Sequence, residues 1–157
     1  MKKIGLLLPL ILFFCSLHAE NWTHIRKNAQ TDPQIQMIPS DKNSQIIKFK
    51  LNAYRLERNQ TPRGVAHSVV SPQASPLLQA GAPDVPKLTT SIIIPDDKAT
   101  QIEVIYSDYT EIHDVDIAPS KGNLLRTQDP DLVPYTYGDV YQQSAFFPAV
   151  EADASEP

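Results

Sequence analysis

The chain contains one cysteine, one tryptophan and only five glycines in 157 residues. That cysteine, Cys15, lies in the first apolar run, so no internal disulfide is available, and a chain that loses this run keeps neither a thiol nucleophile nor a thiolate zinc ligand. Long hydrophobic stretches are also missing. Ile4 to Phe14 is the one sustained apolar segment, too short for the roughly 20 apolar residues of a membrane-spanning helix. Positive charge is scarce, with 14 Lys and Arg against 18 Asp and Glu, and it forms no stripe. Nucleic acid and anionic membrane surfaces are therefore not expected partners. Helical periodicity and internal repeats are lacking too, and the 14 prolines are spread so as to forbid long regular elements.

The first feature present is an export signal. Lys2 and Lys3 form a positive start, the apolar run follows, and the chain turns polar at Glu20 after Ala19, so residues 1–19 are expected to be a signal peptide cut after Ala19. Phe14 precedes Cys15 where a lipid-attachment motif requires a small residue, so the signal is read as an ordinary one. The expected location is outside the inner membrane: periplasmic, cell-surface or extracellular, with no membrane attachment after cleavage. The rest divides into an N-terminal arm, residues 20–43, and one β domain, residues 44–157, whose last part from residue 118 is an extended Pro- and aromatic-rich strap.

Within the arm, Gln34 to Ile38 suits one short strand. Ile47, Phe49 and Leu51 then alternate with Lys48, Lys50 and Asn52, the period of a sheet with one buried face. Tyr54 and Leu56 occupy the opposite parity, which predicts a bulge or a strand end near Ala53. Asn59 to Gly64 carries turn chemistry, with Pro62 fixing φ and Gly64 free to take positive φ, so a hairpin returning through Val65 to Val70 is expected. Ser71 to Pro86 reads as a Pro-rich loop. A second hairpin is expected from Leu88–Ile94, a turn at Pro95 to Lys98, and Ile102, Val104 and Tyr106, with a further short strand at Val115 and Ile117. The class is all-β, most simply an antiparallel β-sandwich with a Pro-rich loop and an extended C-terminal strap.

Catalytic groupings are weak. The exported part holds His24, His67 and His113, and the His113-Asp114 pair would point to opposite faces of a strand. Asp108, Glu111, Asp114, Asp116, Asp129 and Asp131 fit no calcium-loop spacing and read as solvated acids. No cofactor or metal is expected, and the chain is not read as an enzyme. Asn21-Trp22-Thr23 and Asn59-Gln60-Thr61 match the N-glycosylation tripeptide in segments expected to be exposed.

Three phrases stand out in order: GAPDVPKLTTSIIIPDD at Gly81 to Asp97, DIAPSKG at Asp116 to Gly122, and DPDLVPYTYGDVYQQSAFFP at Asp129 to Pro148. Together they resemble the propeptide domain of gingipain-type cysteine peptidases. The resemblance implies a secreted, non-catalytic β-sandwich propeptide that assists folding of a peptidase and keeps the zymogen latent. The implied partner is the cognate cysteine peptidase catalytic domain, in cis in a longer precursor or in trans. Family members continue past the FFP segment into a catalytic domain bearing His and Cys, whereas here Pro157 closes the sequence, so a fragment of a longer precursor, a reading frame cut short or a free-standing pro-domain acting in trans is expected. An exported adhesion or ligand-binding module is the alternative.

Latency by strand addition would need an extended segment with one side chain suited to a specificity pocket. Ala118 to Val133 is the expected inhibitory segment, with Arg126 as the plug for an Arg-preferring pocket and Lys121 as the substitute for a Lys-preferring one. Tyr135, Tyr137, Phe146 and Phe147, together with Tyr141 and the loop at 71–86, are the expected contact residues of the interface.

Overall fold

The computed structural model describes residues 21–27, 29–40, 44–93 and 101–149. The signal segment and the turn at Pro95 to Lys98 lie outside the described residues. Among the described residues the regular structure is almost entirely β. Strands β1 (Thr23–His24), β2 (Gln34–Ile38) and β3 (Ile46–Lys50) are followed by the longer β4 (Ala53–Thr61) and β5 (Gly64–Val70). The two-residue strands β6 (Ser75–Pro76) and β7 (Pro86–Lys87) complete the set, with short 3₁₀ turns at Pro130–Leu132 and Asp139–Gln142. The sheets are β1-β4-β5, β2-β3 and β6-β7, all antiparallel.

The parity switch near Ala53 marks a change of sheet. β3 ends at Lys50 against β2, and β4 begins at Ala53 against β1 and β5. The β4–β5 pairing runs from Arg55↔Val70 to Thr61↔Gly64, leaving Pro62 and Arg63 as the turn and Gly64 at φ +110°. The expected turn at Asn59 to Gly64 is therefore shorter than its composition implied, because Asn59 and Thr61 belong to the strand. Asn59 is half-buried and Thr61 buried, so the expected exposure of the second glycosylation tripeptide is also corrected.

Cross-strand partners share a face. Asn59 with Ala66, Thr61 with Gly64 and Glu57 with Ser68 line one side of the hairpin, while Leu56 with Val69 and Gln60 with Val65 line the other. The side that closes is the small and polar one, where Thr61, Ala66 and Ser68 are buried. Buried apolar side chains among the described residues are Ala53, Ala66, Ala82 and Ala118, and the largest fully buried residue is Pro119. At about 0.8 kcal/mol per buried carbon, four methyl groups contribute about 3 kcal/mol, so backbone pairing and the strap must hold the body together.

The Pro-rich loop folds back on itself through β6 and β7, with the Leu77 amide donating to the Val85 carbonyl at 3.0 Å. Its far end then lies along β5, where the Val69 amide donates to Asp84 at 3.0 Å. Two expectations fail here. Val115–Ile117 makes no strand of its own but a single parallel bridge from Ile117 to His67. The described legs of the second hairpin, residues 88–93 and 101–106, contain no strand. The free edge of β5 is already taken by Asp116, Ala118 and Asp84, so these alternating residues cannot extend that sheet. Ile93 is 99% and Tyr106 77% exposed.

Candidate interaction loop and its anchors

Residues 116–122 form the first anchor. The His67 amide donates to Asp116 and the Ala118 amide to the His67 carbonyl, both at 2.8 Å. Asp84 then donates to Ala118 at 2.8 Å and Ser120 to Ala82 at 2.7 Å. A Cβ on Gly122, whose φ is +78°, would meet the Ala80 side chain at 2.9 Å, so the chain passes here only without a side chain.

Residues 135–141 form the second anchor, built from tyrosine hydroxyls. Tyr135 donates to Asn59 Oδ1 at 2.9 Å, Tyr137 pairs with Thr61 Oγ1 at 2.9 Å, and Tyr141 donates to the Ile117 carbonyl at 3.0 Å. The spacing of two residues in the strap matches the spacing of two in β4, so the tyrosines read the small, polar face of the hairpin as a ladder. Arg63 covers the Tyr137 ring at 4.0 Å, and Tyr137 and Tyr141 meet edge to face at 4.7 Å. Burial, with Asp84 and Asp131 adding to it, raises the Tyr135 phenol. Burial pushes Tyr141 up to about 12, with Tyr137 and Asp84 adding and Arg63 opposing. Both therefore stay protonated donors at neutral pH.

Between the anchors the chain is not extended, contrary to expectation. The Gln128 amide donates to the Leu125 carbonyl at 2.9 Å and the Gln128 side chain accepts from the Leu125 amide at 2.8 Å. This closes a turn with Arg126 and Thr127 at its corners. Asp129 then caps the next 3₁₀ turn by accepting from the Asp131 amide at 3.0 Å. The Gln128 side chain in the first turn and the Asp129 cap on the next thus override the extended form. Arg126 is exposed, and among the described residues it has neither a hydrogen bond nor an ion pair. Leu125, its neighbour in the chain, and Leu132, farther along the same loop, are 69% and 81% exposed.

The other expected site residues divide into those engaged within their own chain and those left exposed. Lys121 is engaged within its own chain: its Nζ donates to the Pro130 carbonyl at 2.6 Å and lies 4.3 Å from the Tyr135 ring centre. Tyr135 and Tyr137 face inward as described. Phe146 is 90% exposed and borders, with Ser107, Tyr109, Thr110 and Glu111, an open cleft of about 460 Å³, whereas Phe147 is half-buried. Sequence reasoning missed Asn59, Thr61 and Arg63 as holders of the strap. The available signal was the matched i, i+2 spacing of polar residues in a strand and tyrosines in a Pro-flanked segment. Among the described residues, no group of three or more His, Cys, Asp or Glu is placed to hold a metal ion, and no helix is long and apolar enough to cross a membrane.

Comparison with known proteins places this arrangement. The Propeptide_C25 family model matches residues 26–157. The chain is similar to Gingipain R2 of Porphyromonas gingivalis, 32% identical over 126 residues, a match covering 80% of this chain and 17% of that protein. It is also similar to Gingipain R1 of that organism, 32% identical over 127 residues, covering 80% of this chain and 13% of the other. The chain thus spans about a sixth or less of the length of these relatives. Among solved structures it resembles the complex of Porphyromonas gingivalis RgpB pro- and mature domains. There the TM-score is 0.70 at 31% identity, over 76% of this chain and 63% of that one. A structure bearing on the zymogenic latency of gingipain K from the same organism shares the fold, with a TM-score of 0.56 at 22% identity over 78% of this chain and 70% of that one.

Proposed function

The chain belongs to the C25 propeptide family, and from that premise we propose that it docks on the mature domain of a gingipain-type cysteine peptidase and keeps it latent. As a propeptide domain it is itself non-catalytic. The observation that carries the reading is the placement of Arg126: an unpartnered guanidinium at the corner of a turn, on a loop tied to the β-body at both ends. A side chain held out in this way suits a deep pocket with a carboxylate at its base, and a loop backbone already tied at both ends loses little freedom on binding. Leu125 and Leu132, both exposed on the same loop, add apolar surface to it. Latency of this kind is reversible blockage of the substrate cleft, and it ends when the loop is displaced or cut. Assistance in folding of the peptidase and passage through an export pathway belong to the same proposal. The resemblance to the complex of pro- and mature domains supports the choice of partner.

The test is inhibition in trans. The chain is added to mature Gingipain R2 and the inhibition constant is compared with that of Arg126→Ala. Loss of a central buried arginine is expected to weaken inhibition at least about 30-fold, equivalent to about 2 kcal/mol. Equal inhibition constants would remove Arg126 from the mechanism.

A further inference from the structure

The loop that presents Arg126 is closed at its base by a single residue. The Gly81 amide donates to the Ser120 carbonyl at 2.9 Å, and the Gly81 carbonyl accepts from the Gly138 amide at 2.8 Å. One peptide residue of the Pro-rich loop therefore clasps the entry and the exit of the segment. Tyr141, bonded to the Ile117 carbonyl, ties the same two segments a second time. The entropic cost of bringing the loop ends together is met by the fold itself, before any partner arrives.

Inside the closed loop one side chain crosses from one limb to the other. Lys121 stands just past the entry, its ammonium donates to the Pro130 carbonyl at 2.6 Å, and the same ammonium lies over the Tyr135 ring at 4.3 Å. Pro130 begins the 3₁₀ turn that follows the Arg126 corner, and Tyr135 begins the exit anchor. The cation thus holds three points of the loop at once.

We infer that Lys121 is a positioning residue that fixes the loop in the form that presents Arg126, and that it makes no direct contact with the peptidase pocket. This rests on the reading of Arg126 as the inhibitory side chain. A methionine at this position keeps the length and apolar stem but loses both the donor and the charge, whereas an arginine keeps both. Lys121→Met should raise the inhibition constant against mature Gingipain R2 about tenfold, and Lys121→Arg should restore it to within about threefold of the original.

The decisive measurement is a double-mutant cycle on the full chain with Arg126→Ala, read together with amide hydrogen exchange. If Lys121 acts through Arg126, then Lys121→Met adds nothing once Arg126 is alanine. Exchange should accelerate at residues 124–133 while β4 and β5 keep their protection, which separates loosening of the loop from loss of fold. Additive losses in the cycle would mean that Lys121 touches the peptidase itself, and would overturn the assignment. So would an unchanged inhibition constant in Lys121→Met while Arg126→Ala remains weakened. An Arg126→Ala chain that inhibits like the original sinks the inhibitory reading instead, and is recognised by that variant alone.

Discussion

The β4–β5 hairpin and the limb at residues 101–114 both carry strand alternation, the limb at Ile102, Val104 and Tyr106, yet they end in opposite states. In the hairpin, seven cross-strand pairs run from Arg55↔Val70 to Thr61↔Gly64, and the closed face is made of Asn, Thr, Ser and Ala. In the limb, Ile105 and Tyr109 are 68% and 74% exposed, and residues 101–114 form no strand. The larger apolar side chains therefore lie outside and the small ones inside. Alternation selects residues able to lie on a sheet, but an unoccupied edge decides whether they do. The hairpin also had its own turn chemistry at Pro62 and Gly64, which needs no partner from elsewhere in the chain. What closes it is a strap of tyrosines that bring both apolar area and a hydroxyl to a face unable to bury large side chains.

The sharpest way to break this contrast is to open the strap. A Cβ on Gly138 would lie 2.9 Å from the Gly81 carbonyl oxygen, which forces the clasp apart. Gly138→Ala is expected to cost about 2 kcal/mol, within the range for overpacked sites. Urea unfolding followed by near-ultraviolet dichroism of the tyrosines reads this directly. A midpoint within the error of the original chain would show that the strap is not what closes the hairpin.

How much of this was legible in the sequence follows the same division. The β2, β3 and β4–β5 strands were readable because local pattern and local turns agree, as at Ile47, Phe49 and the Pro62–Gly64 segment. The buried face expected for β3 is nevertheless absent among the described residues, since Phe49 and Leu51 are exposed. The switch of parity near Ala53 even located the boundary between two sheets. The second hairpin was misread because its residues compete for an edge already filled by Asp116, Ala118 and Asp84, a long-range fact that no window of sequence contains. Arg126 was singled out only through the Arg-preferring pocket that the resemblance implies, and its conformation was not legible at all. The turn depends on a side chain two positions on, Gln128, reaching back to the Leu125 amide. Lys121 was legible as a cation and illegible as a cross-link, because Pro130 and Tyr135 come near it only in the fold.

A second way to sharpen the contrast uses pH. The phenol of Tyr141 sits at about 12 in the fold, against 10.0 for a free tyrosine, chiefly because burial disfavours its anion. A raised pKa of this kind contributes stability that is fully present below pH 10 and is lost as pH rises through 12. The strap should therefore loosen in alkali. Tyr141→Phe, which also lacks the bond to the Ile117 carbonyl, should be less stable by about 1 kcal/mol at neutral pH, and it should show a shallower fall of stability between pH 10 and 12. Stability measured by urea at successive pH values, beside the ultraviolet titration of the tyrosines, checks both parts. The same slope in both chains would mean that Tyr141 is not the group being titrated.

The smallest effect is expected where the limb meets the rest of the chain. Arg26 and Asp108 approach to 2.7 Å, but their side chains are 65% and 52% exposed, so the attraction acts through water and ordering two mobile side chains offsets much of it. A coupling of about 0.5 kcal/mol or less is expected from the cycle of Arg26→Ala, Asp108→Ala and the double variant, fading as salt is raised from 0.1 to 0.5 M. The number matters because this ion pair bridges the N-terminal arm and the limb. A coupling well above 1 kcal/mol that survived salt would mean the limb is held firmly in a drier setting, and the contrast between a closed hairpin and an open limb would have to be abandoned. A coupling near zero leaves the large apolar side chains of the limb as surface still to be covered, the condition in which a partner domain gains most by binding.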